Sequence, residues 1–532
     1  MPETDRQARL RADVARAYAF EGPSFALGTA MLDREALPAA AVRMPLSTVN
    51  RHGLIAGATG TGKTKTLQIV AEQLSRHGVP SLLMDIKGDL SGLAAPGKGH
   101  PKIEERHQAI GEPYEPFASP VELMSLTGEA GVRLRATVTE FGPVLFSKVL
   151  RLNDTQSGVA ALVFKYADDR GLPLVDLDDF KKTLQYLTNE GRDEIRDEYG
   201  TISSASTGAI VRRIIELETQ GAEEFFGEPS FEIGDLLRRD SAGHGVCSVL
   251  RLTDMQDRPK LFSSFMLQLL AEIYAELPER GDADRPELVI FVDEAHLVFE
   301  EASDALLDQL ESIIKLIRSK GVGIVFITQN PADIPEDVLG QLGFKLQHAL
   351  RAFTAKDRKA IKLAAQNFPP SDYYEVTELL TEMGIGECLA TVLDEDGRPT
   401  TLVHALLRAP ASRMDVLTPA EIERLTSRSE IVGKYARRID RESAKEMLTA
   451  KLAAARADEH QAELAEQRTK AKAAGSRSRR RTRAEKSTLE KVMDSTVTRQ
   501  VGRTVARELT RGLLGVLGIS TTRRRRRKSG WF

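Results

Sequence analysis

The stretch HGLIAGATGTGKTKTLQIVAEQLSRHG, residues 52–78, decides the fold. It opens on a short apolar run closed by Gly57, the signature of a buried strand. Leu67, Val70, Ala71 and Leu74 then recur at helical spacing, and Gly78 can stop the helix. Between strand and helix stands GATGTGKT (57–64), which matches G-x-x-x-x-G-K-[ST]. At average residue frequencies a chain of this length holds roughly 0.02 such matches by accident, so the match carries weight before its context is counted. Gly57, Gly60 and Gly62 allow the backbone N–H groups of a Gly57–Ala58–Thr59–Gly60–Thr61–Gly62 loop to turn inward around phosphates. The helix N-terminus adds its positive end. Lys63 is expected to reach the β- and γ-phosphates, and Thr64 to hold Mg2+, with Lys65 completing the nucleotide-binding set. The expected ligands are ATP and Mg2+.

An apolar strand ending in acid is the usual partner of such a loop, and ELVIFVDEAHLVFE (287–300) supplies it. Asp293 is expected to hold Mg2+ through its water shell, and Glu294 to polarise an attacking water. Phosphoryl transfer needs positioning and charge neutralisation more than covalent chemistry, and these residues provide both. SLLMDIKGDL (81–90), VGIVFIT (322–328), KLQHAL (345–350), ECLATVL (387–393) and TTLVHALL (400–407) read as further strands. Near-continuous apolar strands separated by a helix indicate an α/β core with a mainly parallel sheet. Such a sheet carries its functional residues at the carboxyl ends of its strands. Gln329, ending VGIVFIT, should therefore lie near the γ-phosphate. Arg318, at the other end of that strand, should point away from its own nucleotide and can serve a neighbour's, which requires a ring or dimer. His52 and His296, flanking the first and the acidic strand, read as structural residues rather than nucleotide contacts.

The organisation follows. Residues 1–50 form a lead-in, with SFALGT (24–29) a candidate strand. The core occupies 51–99 and 246–410, interrupted by a mainly helical insertion at 100–245. A helical extension covers 411–474 and includes Thr418-Pro419, a good helix start. A basic linker spans 475–486, and 487–532 holds a basic amphipathic helix and a polybasic tail. In that helix Val497, Val501, Val505 and Leu509 recur on one face, and Arg499, Arg503, Arg507 and Arg511 on the other.

Composition bounds the rest. A chain of 532 residues, 41% hydrophobic and 28% charged, has ample material for a core. No apolar run is long enough to span a membrane, and the N-terminus lacks a secretory h-region. Two cysteines, Cys247 and Cys388, form no metal-type spacing and suit a reducing compartment, so a cytoplasmic location is expected. The net charge of −3 hides a split: residues 470–532 carry 19 Lys/Arg against 4 Asp/Glu, which leaves the other 469 residues at −18. An acidic body with a basic tail suits contact with nucleic acid or an anionic surface.

GATGTGKT, SLLMDIKGDLSG, FVDEAHLVF and RSKGVGIVFITQNPADIP, in that order, resemble the HerA/FtsK group of P-loop motor ATPases. A closer resemblance is to the bacterial HerA-like family of YjgR type. It rests on NRHGLIAGATGTGKT, LRATVTEFGP, LNDTQSG, GAIVRRIIELE, FFGEP, LGFKLQHALRAFTAKD, DRESA and RTVARELTRGLLGVLG. The resemblance implies a RecA-like core and a hexameric homo-oligomeric ring. It also implies ATP hydrolysis dependent on Lys63, Thr64, Asp293 and Glu294, with Gln329 as sensor and Arg318 as a finger in trans. HerA and FtsK proper pump duplex DNA, so a DNA translocase or helicase-type motor is the leading expectation. The alternative is an ATPase that moves a protein or envelope-associated partner, with the C-terminal helix as a peripheral anchor. The sequence shows no evident amino-terminal barrel of the HerA type and no FtsK-like membrane segment or winged-helix end.

Overall fold

The computed structural model describes residues 4–475 except 197, 254–257, 282 and 300–303. The linker, amphipathic helix and tail read from the sequence beyond residue 475 lie outside the described residues. The described chain divides into two compact units.

The first unit runs to Thr137 and includes Leu145–Leu152 and Arg212–Ile439. It is built on a twelve-stranded sheet. In chain order the strands are β1 (Ser24–Leu32), β2 (Glu35–Pro45), β3 (Gly53–Ala56), β4 (Ser81–Asp85), β5 (Val121–Ser125) and β6 (Val132–Arg133). They continue as β7 (Cys247–Arg251), β8 (Leu288–Val292), β9 (Val322–Thr328), β10 (Phe344–Gln347), β11 (Glu387–Thr391) and β12 (Val403–Leu407). The spatial order is β2-β1-β12-β11-β10-β3-β9-β8-β4-β7-β5-β6. Every pair from β10 through β6 is parallel, and β2, β1, β12 and β11 form an antiparallel wing. The mainly parallel α/β sheet read from the sequence is the sheet observed. β3, β4, β8 and β9 are buried along their whole length, as strands covered on both faces must be.

The sheet takes in β2 and β7, which the sequence reading lacks, and through β1 and β2 it incorporates part of the 1–50 lead-in; two further details differ. The KLQHAL strand ends at Gln347, because His348 to Leu350 turn away to serve other elements: the Ala349 carbonyl accepts from Ala58 N (2.8 Å), and Leu350 N donates to Leu380 O (2.8 Å). The segment 100–245 carries, besides its helices, the strands β5 and β6, which extend the core sheet. β5, VELMS, is interrupted by Glu122, which is buried and paired with Arg238 at 2.8 Å.

The second unit comprises Val138–Val144, Asn153–Val211 and the described residues from Asp440. Its helices include Asp154–Asp169, Leu177–Thr188 and Ala444–Gly475. Asp179, buried, ties the start of the last helix to the second. Its carboxylate accepts from Val175 N, Ser443 Oγ and Lys445 N at 2.9, 2.5 and 2.8 Å. Glu194 gathers the hydroxyls of Tyr166 and Tyr186 and the ammonium of Lys451.

His52 shows how β3 is set. It is buried with a left-handed backbone (φ 60°), and its ring spans two elements. Ile324 N donates to Nδ1 (3.0 Å), so Nε2 carries the proton and donates to Ile314 O (2.8 Å). Burial pushes its pKa down from 6.5 to about 4 despite the Ile314 carbonyl, and the charge of Arg318 acts in the same direction as burial. Between these values the unfolded chain binds a proton that the folded one refuses, so the stability His52 contributes is present above pH 6.5 and lost toward pH 4. His52→Ala should destabilise the protein by about 1–3 kcal/mol at neutral pH. In urea melts the gap to the wild type should narrow on acidification by at most about 1.4 kcal/mol per pH unit.

Candidate nucleotide site

The loop after β3 is pinned on both sides. Gly57 N donates to Thr328 O of β9 (3.2 Å), and Ala58 N donates to Ala349 O beyond β10 (2.8 Å). Gly57, Gly60 and Gly62 take φ values of 153°, 77° and 118°, conformations that a side chain resists. The helix Lys63–Arg76 begins directly after Gly62, so its free N–H groups face the loop's concave side. Lys63 is buried, and its ammonium donates to Gly57 O (2.7 Å) and Ala58 O (3.2 Å). Burial lowers its pKa, and the charge of Lys87 lowers it further. Thr64, half-buried, is the second residue of the helix.

β8 lies one strand removed from β3, with β9 between them. Its end presents Asp293 and Glu294, which are 3% and 6% exposed. Asp293 Oδ2 is buried without a hydrogen-bond partner, the orphaned oxygen that a cation site would use. Burial pushes the Asp293 pKa up to about 6, with Lys87 opposing and Glu294 adding to the rise. Glu294 has a left-handed backbone (φ 46°), a conformation that costs a non-glycine residue about 1–2 kcal/mol. It is held by Ala295 N donating to Ile327 O (2.9 Å). Burial also pushes the Glu294 carboxyl up, but Lys87, His296 and Gln329 outweigh it and leave the group below its ordinary range. Gln329 joins the two halves of the site. Its Oε1 accepts from Thr59 Oγ1 (3.2 Å), and its Nε2 lies 3.5 Å from Glu294 Oε1.

The structure therefore brings Thr59, Lys63, Asp293, Glu294 and Gln329 together at the carboxyl ends of the central strands β3, β8 and β9. His296 Nδ1 lies 3.3 Å from Glu294 Oε2, and His52 is at the far end of β3, in the core. Arg318 is exposed in a short turn before β9, at the opposite end of that strand from Gln329. The Lys65 ammonium donates to Met414 O.

Sequence reasoning missed five contributors. Lys87, in the loop after β4, pairs with Glu294 Oε1. His348 backs the loop and shares a 2.8 Å hydrogen bond with Thr66 Oγ1; burial pushes its pKa down to about 4. Gly386 N donates to Thr61 O (3.0 Å), and Arg106 clamps that turn through the carbonyls of Ile385, Gly386 and Leu407. The strap 411–414 lies along the phosphate-loop helix, held at Ala411 N and Ser412 N by Glu72 (2.8 and 2.9 Å). Of these, only the charged end of SLLMDIKGDL gave a hint, in Lys87.

The Helicase HerA-like C-terminal family matches residues 31–525. The chain belongs to that family. Two relatives bear the name DNA double-strand break repair helicase HerA. The protein from Sulfolobus acidocaldarius is 19% identical over 351 residues, and that from Sulfurisphaera tokodaii 21% over 351. Each match takes in 65% of this chain and 63% of the relative, so the chain spans under two thirds of the relatives' length. Among solved structures, the bacterial conjugative coupling protein TrwB (TrwBdeltaN70) is similar at 15% identity and a TM-score of 0.48, covering 77% of this chain and 94% of that one. VirB4 of Thermoanaerobacter pseudethanolicus is similar at 18% identity and a TM-score of 0.44, covering 76% of this chain and 99% of that one.

Two glycines of the loop should respond differently to substitution. A Cβ at Gly57 would stand 2.5 Å from His348 Cβ, whereas one at Gly60 would meet nothing within 4 Å. Gly57→Ala should weaken binding of a fluorescent ATP analogue at least about 10-fold, while Gly60→Ala should cost only about 1 kcal/mol of backbone strain. Equal effects in a nucleotide titration would contradict this geometry.

Proposed function

We propose that the chain is a Mg2+-dependent ATP hydrolase that assembles as a hexameric ring and translocates DNA. The observation that carries the hydrolase reading is the row of Lys63, Asp293, Glu294 and Gln329 at the carboxyl ends of the central strands, with an unpartnered, buried Asp293 Oδ2. Thr64 and Asp293 would hold Mg2+, which when bound offsets the charge of the phosphates. Lys63 exchanges the carbonyls of its own loop for phosphate oxygens. Glu294 accepts a proton from water, and Gln329, in touch with both Thr59 and Glu294, reports whether the terminal phosphate is in place. Arg318, at the opposite end of β9, supplies positive charge to the nucleotide of the next subunit.

The DNA reading is supported by the name of the HerA relatives and by the basic segment 470–532, since polybasic segments neutralise phosphates without reading sequence. Among the described residues no helix is long and apolar enough to cross a membrane.

The deciding experiment is steady-state ATP hydrolysis with and without linear duplex DNA at low salt, with Lys63→Ala as the blank. Several-fold stimulation by DNA is expected. Hydrolysis indifferent to DNA would transfer the proposal to a protein or envelope-associated substrate. Arg318→Ala should abolish hydrolysis but keep nucleotide binding, and mixing it with Glu294→Gln subunits should restore some activity. No recovery in proven mixed rings would exclude the action in trans.

A further inference from the structure

Lys87 stands two residues beyond the end of β4, in the turn Ile86–Leu90. Two features deliver its ammonium to the site. The first is Asp85, the last residue of β4, whose buried carboxylate accepts from Gly88 N (2.7 Å), Asp89 N (3.1 Å) and Leu90 N (3.1 Å). That clasp, with Gly88 left-handed at φ 74°, fixes the turn on which Lys87 rides. The second is sheet order. β4 and β8 are neighbours, with Met84 paired to Val292, so the residues just past each strand meet across the edge.

The groups facing Glu294 are few. Lys87 pairs with Oε1 from the β4 turn, and Gln329 Nε2 reaches the same oxygen from β9 at 3.5 Å. His296 Nδ1 lies 3.3 Å from Oε2, Asp293 adjoins on the chain, and Lys63 contributes its charge from the loop. Asp89, beside Lys87 in the turn, adds negative charge behind it. Of these, Lys87 makes the close charge-assisted contact, the kind that fixes a carboxylate's direction.

We infer that Lys87 is the positioning residue for Glu294: it orients the carboxylate that accepts the proton from water and leaves nucleotide binding to Lys63 and the loop. The inference rests on the hydrolase reading above. A side chain that orients a reacting group lowers kcat when removed and spares binding.

The test uses the full chain with Lys87→Ala, Lys87→Met and Lys87→Arg, measured beside wild type and Lys63→Ala. Lys87→Met keeps the length of the side chain without its charge, and its thermal midpoint shows whether the fold holds. Both neutral variants should lower kcat about 10–100-fold, the range for removing such a supporting contact. KM and affinity for methylanthraniloyl-labelled ATP should stay at wild-type values, and Lys87→Arg should recover a large part of the loss. Unchanged kcat in the neutral variants would overturn the inference. A parallel loss of kcat and nucleotide affinity would overturn it too, making Lys87 a phosphate ligand. So would an arginine variant as impaired as the methionine one. If wild type and Lys63→Ala hydrolyse alike, the hydrolase reading fails and takes this inference with it. A difference there, with unaffected Lys87 variants, removes the inference alone.

Discussion

Buried charge at the carboxyl ends of the central strands sets the terms for the rest of the structure. Asp293 and Glu294 are adjacent, nearly inaccessible and of like sign, an arrangement in which each disfavours ionisation of the other. Lys63 and Lys87 approach from two other elements and supply the opposing charge. Replacing such a cluster by apolar residues commonly leaves a fold as stable or more so, so its presence is poorly explained by stability. The left-handed backbone of Glu294 points the same way, since strain of this kind persists where the surroundings over-determine a side chain's direction.

The sheet order makes the cluster possible. Parallel strands all deliver their carboxyl ends to the same end of the sheet, and β9 separates the loop strand β3 from the acidic strand β8. Two strand spacings put about 10 Å between loop and acids, room for a phosphate chain and a hydrated cation. The intervening strand ends in Gln329, which touches the loop at Thr59 and approaches the acid at Glu294. Inserting a strand thus opens the site and provides the side chain that spans it.

Local pattern explains what could be read in advance. β3, β8 and β9 are short apolar runs bounded by glycine or acid, and the loop glycines have conformations only their sequence signature announces. What escaped was set by distant partners. β5 contains Glu122 because Arg238, far along the chain, pairs with it, so its pattern does not read as a buried strand. Lys87 reaches Glu294 because β4 lies beside β8, and spatial order among parallel strands is not encoded in any one of them. The side chain of Lys65 is placed in a similar way: the carbonyl it meets, Met414 O, comes from a strap more than three hundred residues later.

The same long-range logic accounts for the polar residues of the phosphate-loop helix. Lys63–Arg76 is buried on nearly all sides, yet it carries Thr66, Gln68, Glu72 and Ser75. Burial of such groups is tolerable only where partners wait for them. Thr66 meets His348 behind the loop, and Ser75 donates to Gly245 O (2.7 Å) beyond the other end. Gln68 donates to Arg413 O (3.4 Å), and Glu72 accepts from Ala411 N and Ser412 N. An apolar helix can turn or slide at modest cost; this one would break hydrogen bonds on several sides at once. Its polar residues therefore fix its rotation and register, and with them the direction of the N–H groups at its start. Preorganised dipoles of that kind act on developing charge without reorganisation, so under the hydrolase reading proposed above the strap and His348 support the candidate phosphate site as much as the loop does.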